Sequence, residues 1–177
     1  MILTGDEIVR MRAEGRVVVE PFVPEHVGAN SVDLRLADEL LQYTGLTLDM
    51  KADNPTEAVR IPPGGLVLEP GRLYLGSTVE KCGSDEFVCE VDGRSSVGRL
   101  GISVHCTACR GDLFFSDRWT LEINVVKPVR VYANVRIAQA TFFATLGERG
   151  RRYQGKYKGQ TGATASRMWR DFQEGGK

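Results

Sequence analysis

The sequence predicts a mainly β domain: a distorted β-barrel or jelly-roll-like sandwich with a short N-terminal helix. Short apolar runs rich in Val, Ile, Leu and Phe recur along most of the chain. Turn signals such as Pro62-Pro63-Gly64-Gly65, Pro70-Gly71, Asp92-Gly93 and Lys127-Pro128 separate them at intervals of about 8–12 residues. Helical spacing is confined to the chain ends, and that combination leaves a sandwich, jelly roll or barrel.

The elements follow in order. Thr4 caps a helix reaching about Glu14, because Ile2, Ile8 and Met11 fall near helical spacing and Asp6 and Glu7 occupy the first turn, where the helix dipole favours them. Gly15 ends it. Arg16–Phe22 reads as a strand closed by Pro21 and Pro24, and Ser31–Leu36 alternates strictly as another. Further strands are expected at Leu40–Tyr43, Val59–Ile61, Leu66–Leu68, Leu73–Glu80 and Phe87–Val91. The series continues with Ile102–Cys106, Trp119–Val125, Val129–Val131 and Gln139–Thr145. No internal repeat or low-complexity linker divides the chain, so residues 1–177 read as one domain.

Composition limits the function classes. With 42% hydrophobic residues in 177, the chain can bury a core of its own. Its formal net charge of zero provides no overall field for nucleic acid or an anionic membrane, so any polyanion must meet a local basic cluster. There is no basic-then-apolar leader and no apolar run near the ~20 residues that span a bilayer, which sets a cytoplasmic location as the expectation.

The cysteines are Cys82, Cys89, Cys106 and Cys109. Reduced core thiols are one reading of them. Cys106-Thr107-Ala108-Cys109 beside His105 also has zinc-like spacing, but a strand would point His105 and Cys106 to opposite faces, and Cys82 to Cys89 is wrongly spaced for a zinc knuckle. No protein metal site is expected.

Asp92-Gly93-Arg94-Ser95-Ser96-Val97-Gly98-Arg99-Leu100-Gly101 carries anion-binding chemistry between two apolar runs. Glycines allow close backbone approach, hydroxyls and freed N–H groups donate to phosphate oxygens, and guanidinium forks bind phosphate bidentately. A hydrogen-bonded turn bearing solvated charges is the plainer reading. Further on, Trp119-Thr120-Leu121-Glu122-Ile123 puts one carboxylate into an otherwise apolar strand. Glu122 is either on a solvent face or there for chemistry.

Taken together, these segments resemble the dCTP deaminase branch of the dUTPase superfamily. The same order holds for Met1-Ile2-Leu3-Thr4, Ser31-Val32-Asp33-Leu34-Arg35-Leu36, Val104-His105-Cys106-Thr107-Ala108, Arg136-Ile137-Ala138-Gln139 and Gly155-Lys156-Tyr157-Lys158-Gly159-Gln160-Thr161-Gly162. The resemblance implies a dUTPase-type barrel assembled as a homotrimer with active sites between subunits. It also implies a C-terminal lid over about residues 148–177. As residues alone, that basic, glycine-rich tail reads as a solvated end, although Tyr153, Tyr157, Met168, Trp169 and Phe172 would serve as anchors.

The implied reaction is hydrolytic deamination of dCTP to dUTP and ammonia. Glu122 would shuttle protons, the backbone carbonyl of Ala108 would help hold the water, and Ser95 and Arg99 would complete the catalytic group. Nucleotide contacts would come from Arg94, Ser95, Ser96, Arg99, Asp112, Trp119, Gln139, Lys156 and Gln160, with Tyr153 a further candidate. Zinc deaminases carry H-x-E and P-C-x-x-C, and neither is present, so the chemistry is expected without zinc. Magnesium would arrive on the triphosphate, and dTTP would be an inhibitor by resemblance. Neither nucleic acid nor membrane is an expected partner.

Flanking Trp119, Leu121 and Ile123 would desolvate Glu122 and raise its pKa, while Arg99 would lower it. Relatives commonly carry glycines where this chain has Phe114 and Asp117, and Phe tolerates a left-handed conformation poorly. Two rival functions stand beside the first. One is dUTP diphosphatase activity, alone or coupled to deamination so that dUMP and diphosphate emerge, with Asp112 the residue to watch. The other is a non-catalytic nucleotide-binding regulator.

Overall fold

The computed structural model describes residues 1–173. The first helix, α1 (Gly5–Ala13), begins at Thr4, whose hydroxyl accepts from the Glu7 N–H at 3.4 Å, and stops before Gly15, where φ is +73°. Ile8 and Met11 bury its inner face. Each such side chain taken fully out of water contributes about 1.5–3 kcal/mol.

The longest strand, β6 (Tyr74–Gly83), organises the larger sheet, which also holds β1 (Val18–Glu20), β3 (Glu39–Tyr43), β4 (Thr56–Arg60), β8 (Ile102–Ser103) and β9 (Arg118–Val125). The order runs β4-β3-β6-β9-β8, with β1 paired to the far end of β6. A second sheet sets β11 (Arg136–Ala144) between β2 (Val32–Arg35) and β7 (Phe87–Gly93), and β5 (Leu66–Leu68) pairs with β10 (Val129–Val131). The paired strands are antiparallel.

Strand alternation builds the core. Leu34, Leu36, Leu40, Leu68, Ile137 and Phe142 are fully buried, and in β9 burial switches at every residue, so Trp119, Leu121, Ile123 and Val125 all face inward. One buried charge joins the sheets. Glu80 accepts from the Arg35 backbone N–H at 2.8 Å and from Arg35 Nε at 2.6 Å, so the carboxylate is both paired and hydrogen-bonded, as burial requires.

The predicted strands at Leu66–Leu68 and Val129–Val131 are found with those bounds. Two differences concern the motifs. Arg94-Ser95-Ser96 does not make a plain turn between strands: Ser95–Gly98 forms a one-turn helix, α2. The Arg94 carbonyl accepts from the Val97 and Gly98 N–H groups at 2.9 Å, Val97 is buried, and Gly101 at φ +76° ends the turn. The strand expected over Ile102–Cys106 stops at Ser103, although the Val104 carbonyl still accepts from the Glu122 N–H at 2.9 Å. His105 to Cys109 consequently form an irregular wall instead of an alternating strand.

Candidate active site

Beside β9 lies a cavity of about 540 Å³. Glu122 and Thr120 line it from the strand's half-exposed face, Leu75 from β6 opposite Glu122, and Cys106, Thr107 and Ala108 from the loop. Glu122 Oε2 accepts from the Cys106 backbone N–H at 2.8 Å, which ties strand to loop and orients the carboxylate. Alternation corrects the expected surroundings of Glu122. Trp119, Leu121 and Ile123 point into the core, and the carboxylate shares its face with Thr120 and Asn124.

The tail forms part of the same cavity. Tyr153, Tyr157, Gln160, Thr164 and Ser166 line it, so this stretch packs onto the domain instead of trailing into solvent. Gln160 Nε2 donates to the Arg118 carbonyl at 2.6 Å, Thr120 Oγ1 donates to Gln160 Oε1 at 3.4 Å, and the Thr164 N–H donates to Thr120 Oγ1 at 3.1 Å. The Ser166 N–H reaches the Tyr43 hydroxyl at 2.9 Å. Residues 174–177 of the expected lid lie outside the described residues.

Of the residues singled out in the sequence, Glu122, Ala108, Asp112, Trp119, Tyr153 and Gln160 come together around this cavity. Trp119 acts as its inner wall: the ring is buried, Nε1 donates to the Cys82 carbonyl at 2.8 Å, and Phe115 meets it edge-on at 5.5 Å. Tyr153 packs edge-on against Phe115 from the other side, at 5.7 Å.

The others lie elsewhere in the single chain. Ser95, Ser96 and Arg99 are exposed on or just after α2 and are not among the residues lining the cavity. Arg94 is paired with Asp33 at 2.9 Å, which also binds Arg136 at 3.1 Å. Gln139 in β11 sits in register between Asp33 and Asp92. Lys156 is engaged by the Asp171 carboxylate.

Sequence reasoning missed Tyr43, Leu75 and Thr120 as cavity residues. Thr120 was within reach, since it stands two residues before Glu122 on the same strand face. Tyr43 and Leu75 arrive from other strands, and their local sequence carries no sign of it.

The cysteines divide by place. Cys82 and Cys89 sit in the core with sulfurs 3.7 Å apart, and burial followed by the neighbouring Cys82 sulfur pushes the Cys89 thiol well above its ordinary value. At the cavity, burial and then the nearby Glu122 carboxylate raise the Cys106 thiol, with Asn124 pulling the other way. His105 turns aside to Asp92, Nε2 to Oδ1 at 3.0 Å. Among the described residues, no three His, Cys, Asp or Glu side chains gather into a group that could hold a metal ion.

The loop before β9 has the backbone expected to be difficult for its residue: Phe114 holds φ +67°, a left-handed conformation that costs about 1 kcal/mol or more away from glycine. Its N–H donates to the Ser84 carbonyl at 3.1 Å, and the Arg152 guanidinium lies 5.0 Å from its ring centre, contacts that offset the strain.

The sequence model of the family described as dCTP deaminase-like matches residues 2–145. The chain belongs to the dCTP deaminase-like family. Relatives named "dCTP deaminase, dUMP-forming" include one from Hathewaya histolytica, 44% identical over 173 residues, covering 98% of this chain and 100% of the relative. Another, from Leptospira biflexa serovar Patoc, is 44% identical over 174 residues, covering 98% and 99%.

Among solved structures, the 2'-deoxycytidine 5'-triphosphate deaminase from Agrobacterium tumefaciens superposes with a TM-score of 0.64 at 20% identity. It covers 81% of this chain and 48% of the other, and supports the dUTPase-type fold of this dCTP deaminase-like chain. None of its described helices is long and apolar enough to cross a membrane.

Proposed function

We propose that this dCTP deaminase-like chain hydrolytically deaminates dCTP and carries the nucleotide on to dUMP and diphosphate. The observation that carries the reading is Glu122, a carboxylate on a cavity wall that Ala108 also lines, fixed by the Cys106 N–H at 2.8 Å. Such a group can take a proton from water as the oxygen adds to C4 of cytosine, and deliver protons to N3 and to the departing amine. Addition gives a tetrahedral carbon, and loss of ammonia restores the ring as uracil. A second water then splits the α–β phosphate linkage, so one dCTP and two waters become dUMP, ammonia and diphosphate.

The dUTP product expected first from the sequence yields here to the coupled alternative, because the relatives covering almost the whole chain carry the dUMP-forming name. Asp112 lines the cavity and is the carboxylate available to the phosphate step. Magnesium enters with the triphosphate as part of the substrate and balances its charge.

The exposed Ser95, Ser96 and Arg99 are donors that do not line this cavity in their own chain. In a homotrimer they would close the site of a neighbouring subunit, which supports a shared active site and gives α2 its purpose. The test is product analysis with Mg-dCTP, measuring ammonia, dUTP, dUMP and diphosphate together. Equal amounts of ammonia, dUMP and diphosphate are expected. Accumulating dUTP would return the reaction to simple deamination, and no ammonia would leave either a dUTP diphosphatase, recognised by turnover of Mg-dUTP, or a non-catalytic nucleotide binder.

A further inference from the structure

The tail that lines the cavity is held to the body by a contact that none of the catalytic chemistry requires. Asp117 Oδ2 accepts from the Gly159 backbone N–H at 2.7 Å. Gly159 holds φ +80°, and the turn it belongs to places Gln160 against Arg118 and Thr120. Arg118 Nη1 also donates to the Thr161 carbonyl, at 3.1 Å. Residues 159–164 therefore run beside 117–120 through side-chain bonds, with the Asp117 bond at the entry.

The carboxylate is mounted on a firm base. The Asp117 carbonyl accepts from the Cys82 N–H at 3.1 Å, and Ser84 bridges Phe115. The loop packs so closely on β6 that a Cβ at Gly83 would lie 1.9 Å from the Phe115 carbonyl oxygen. Asp117 is thus a fixed acceptor, and the tail is the part that comes to it. A charged acceptor on a backbone N–H is among the stronger hydrogen bonds a protein makes.

We infer that Asp117 is a positioning residue for the reaction: its carboxylate latches Gly159 and thereby sets Gln160 and the following tail over the cavity that holds Glu122. The inference rests on the deaminase reading of that cavity. It assigns a purpose to a side chain at a place where glycine would supply no acceptor. Because Asp117 acts through the tail, its removal should alter closure over the substrate while leaving the core intact.

The experiment compares Asp117→Ala and Asp117→Asn with the unaltered full chain by steady-state kinetics on Mg-dCTP and by amide hydrogen exchange. For Asp117→Ala, the KM for dCTP should rise about tenfold or more, the loss expected for one charge-assisted bond. Exchange in peptides spanning 155–164 should accelerate by a similar factor, while peptides from 119–125 keep their protection. Asn retains an accepting oxygen for the Gly159 N–H and should keep most of the original KM and exchange protection. Unchanged tail exchange in Asp117→Ala overturns the latch, as does an unchanged KM. Absence of dCTP turnover in the unaltered chain would reject the deaminase reading, and the exchange measurement would still decide whether Asp117 holds the tail.

Discussion

Glu122 and Cys106 are joined by a 2.8 Å hydrogen bond from the backbone N–H of one to the carboxylate of the other, across 16 residues of sequence. The bond makes the catalytic candidate a member of the loop as well as of β9. It leaves the second carboxylate oxygen uncommitted to Cys106. Proton transfer needs such a group, held in one orientation with an oxygen still to spare.

Glu122→Gln should abolish deamination while retaining dCTP binding. The amide oxygen can still accept from Cys106, so the loop keeps its place, but the side chain no longer carries protons. The rate should fall by at least about 100-fold. Single-turnover kinetics with an equilibrium binding measurement checks this, and near-normal turnover would remove Glu122 from the mechanism.

The separation of Arg99 from the cavity predicts complementation between subunits. Arg99→Ala and Glu122→Gln proteins should each be inactive, and dissociating and reassembling them together should recover activity from sites that draw one intact residue from each chain. Mass spectrometry verifies mixed assembly. Mixed oligomers with no recovered turnover, or a fully active monomer in light scattering, would end the shared-site reading.

Trp119 fills the space between Gly111 and the core, where a Cβ on Gly111 would lie 2.5 Å from the indole Cη2. Trp119→Phe removes the donor to the Cys82 carbonyl and leaves a void, and should lower stability by about 1–3 kcal/mol. Urea unfolding measures this directly. A change of only a few tenths would mean that the wall repacks around the smaller ring.

The raised Cys89 thiol gives stability a sign at alkaline pH. In the unfolded chain the thiol ionises around its ordinary value of 9.0, while in the fold burial and Cys82 keep it protonated. The unfolded state therefore loses its proton first. The contribution is intact below that value and is lost as pH rises, by about 1.4 kcal/mol per pH unit until the folded thiol also ionises. Cys89→Val should unfold with a shallower alkaline slope than the unaltered protein, and identical slopes would refute the assignment.

The sequence by itself determined what depends on neighbours along the chain. The apolar run Trp119–Val125 already marked a strand carrying Glu122, and Thr4 with Gly15 bounded the first helix. These signals are legible because strand and helix periods are set locally, by the backbone.

Tertiary structure decided which of the marked residues meet. Arg94 reads as an anion donor in the sequence, and the fold supplies the partner that orients it: Asp33, 61 residues away, accepts from its Nε. Ser95 and Arg99 looked like partners of Glu122, yet a one-turn helix around the buried Val97 presents them away from their own cavity. The tail could have been a solvated end until Asp117, Thr120 and Tyr43 supplied hydrogen-bond partners 42, 44 and 123 residues away along the chain. Charge and hydrogen-bonding groups announce what a residue can bind, but the partner is chosen by which distant segments the packed sheets bring within about 3 Å, a distance no local period encodes.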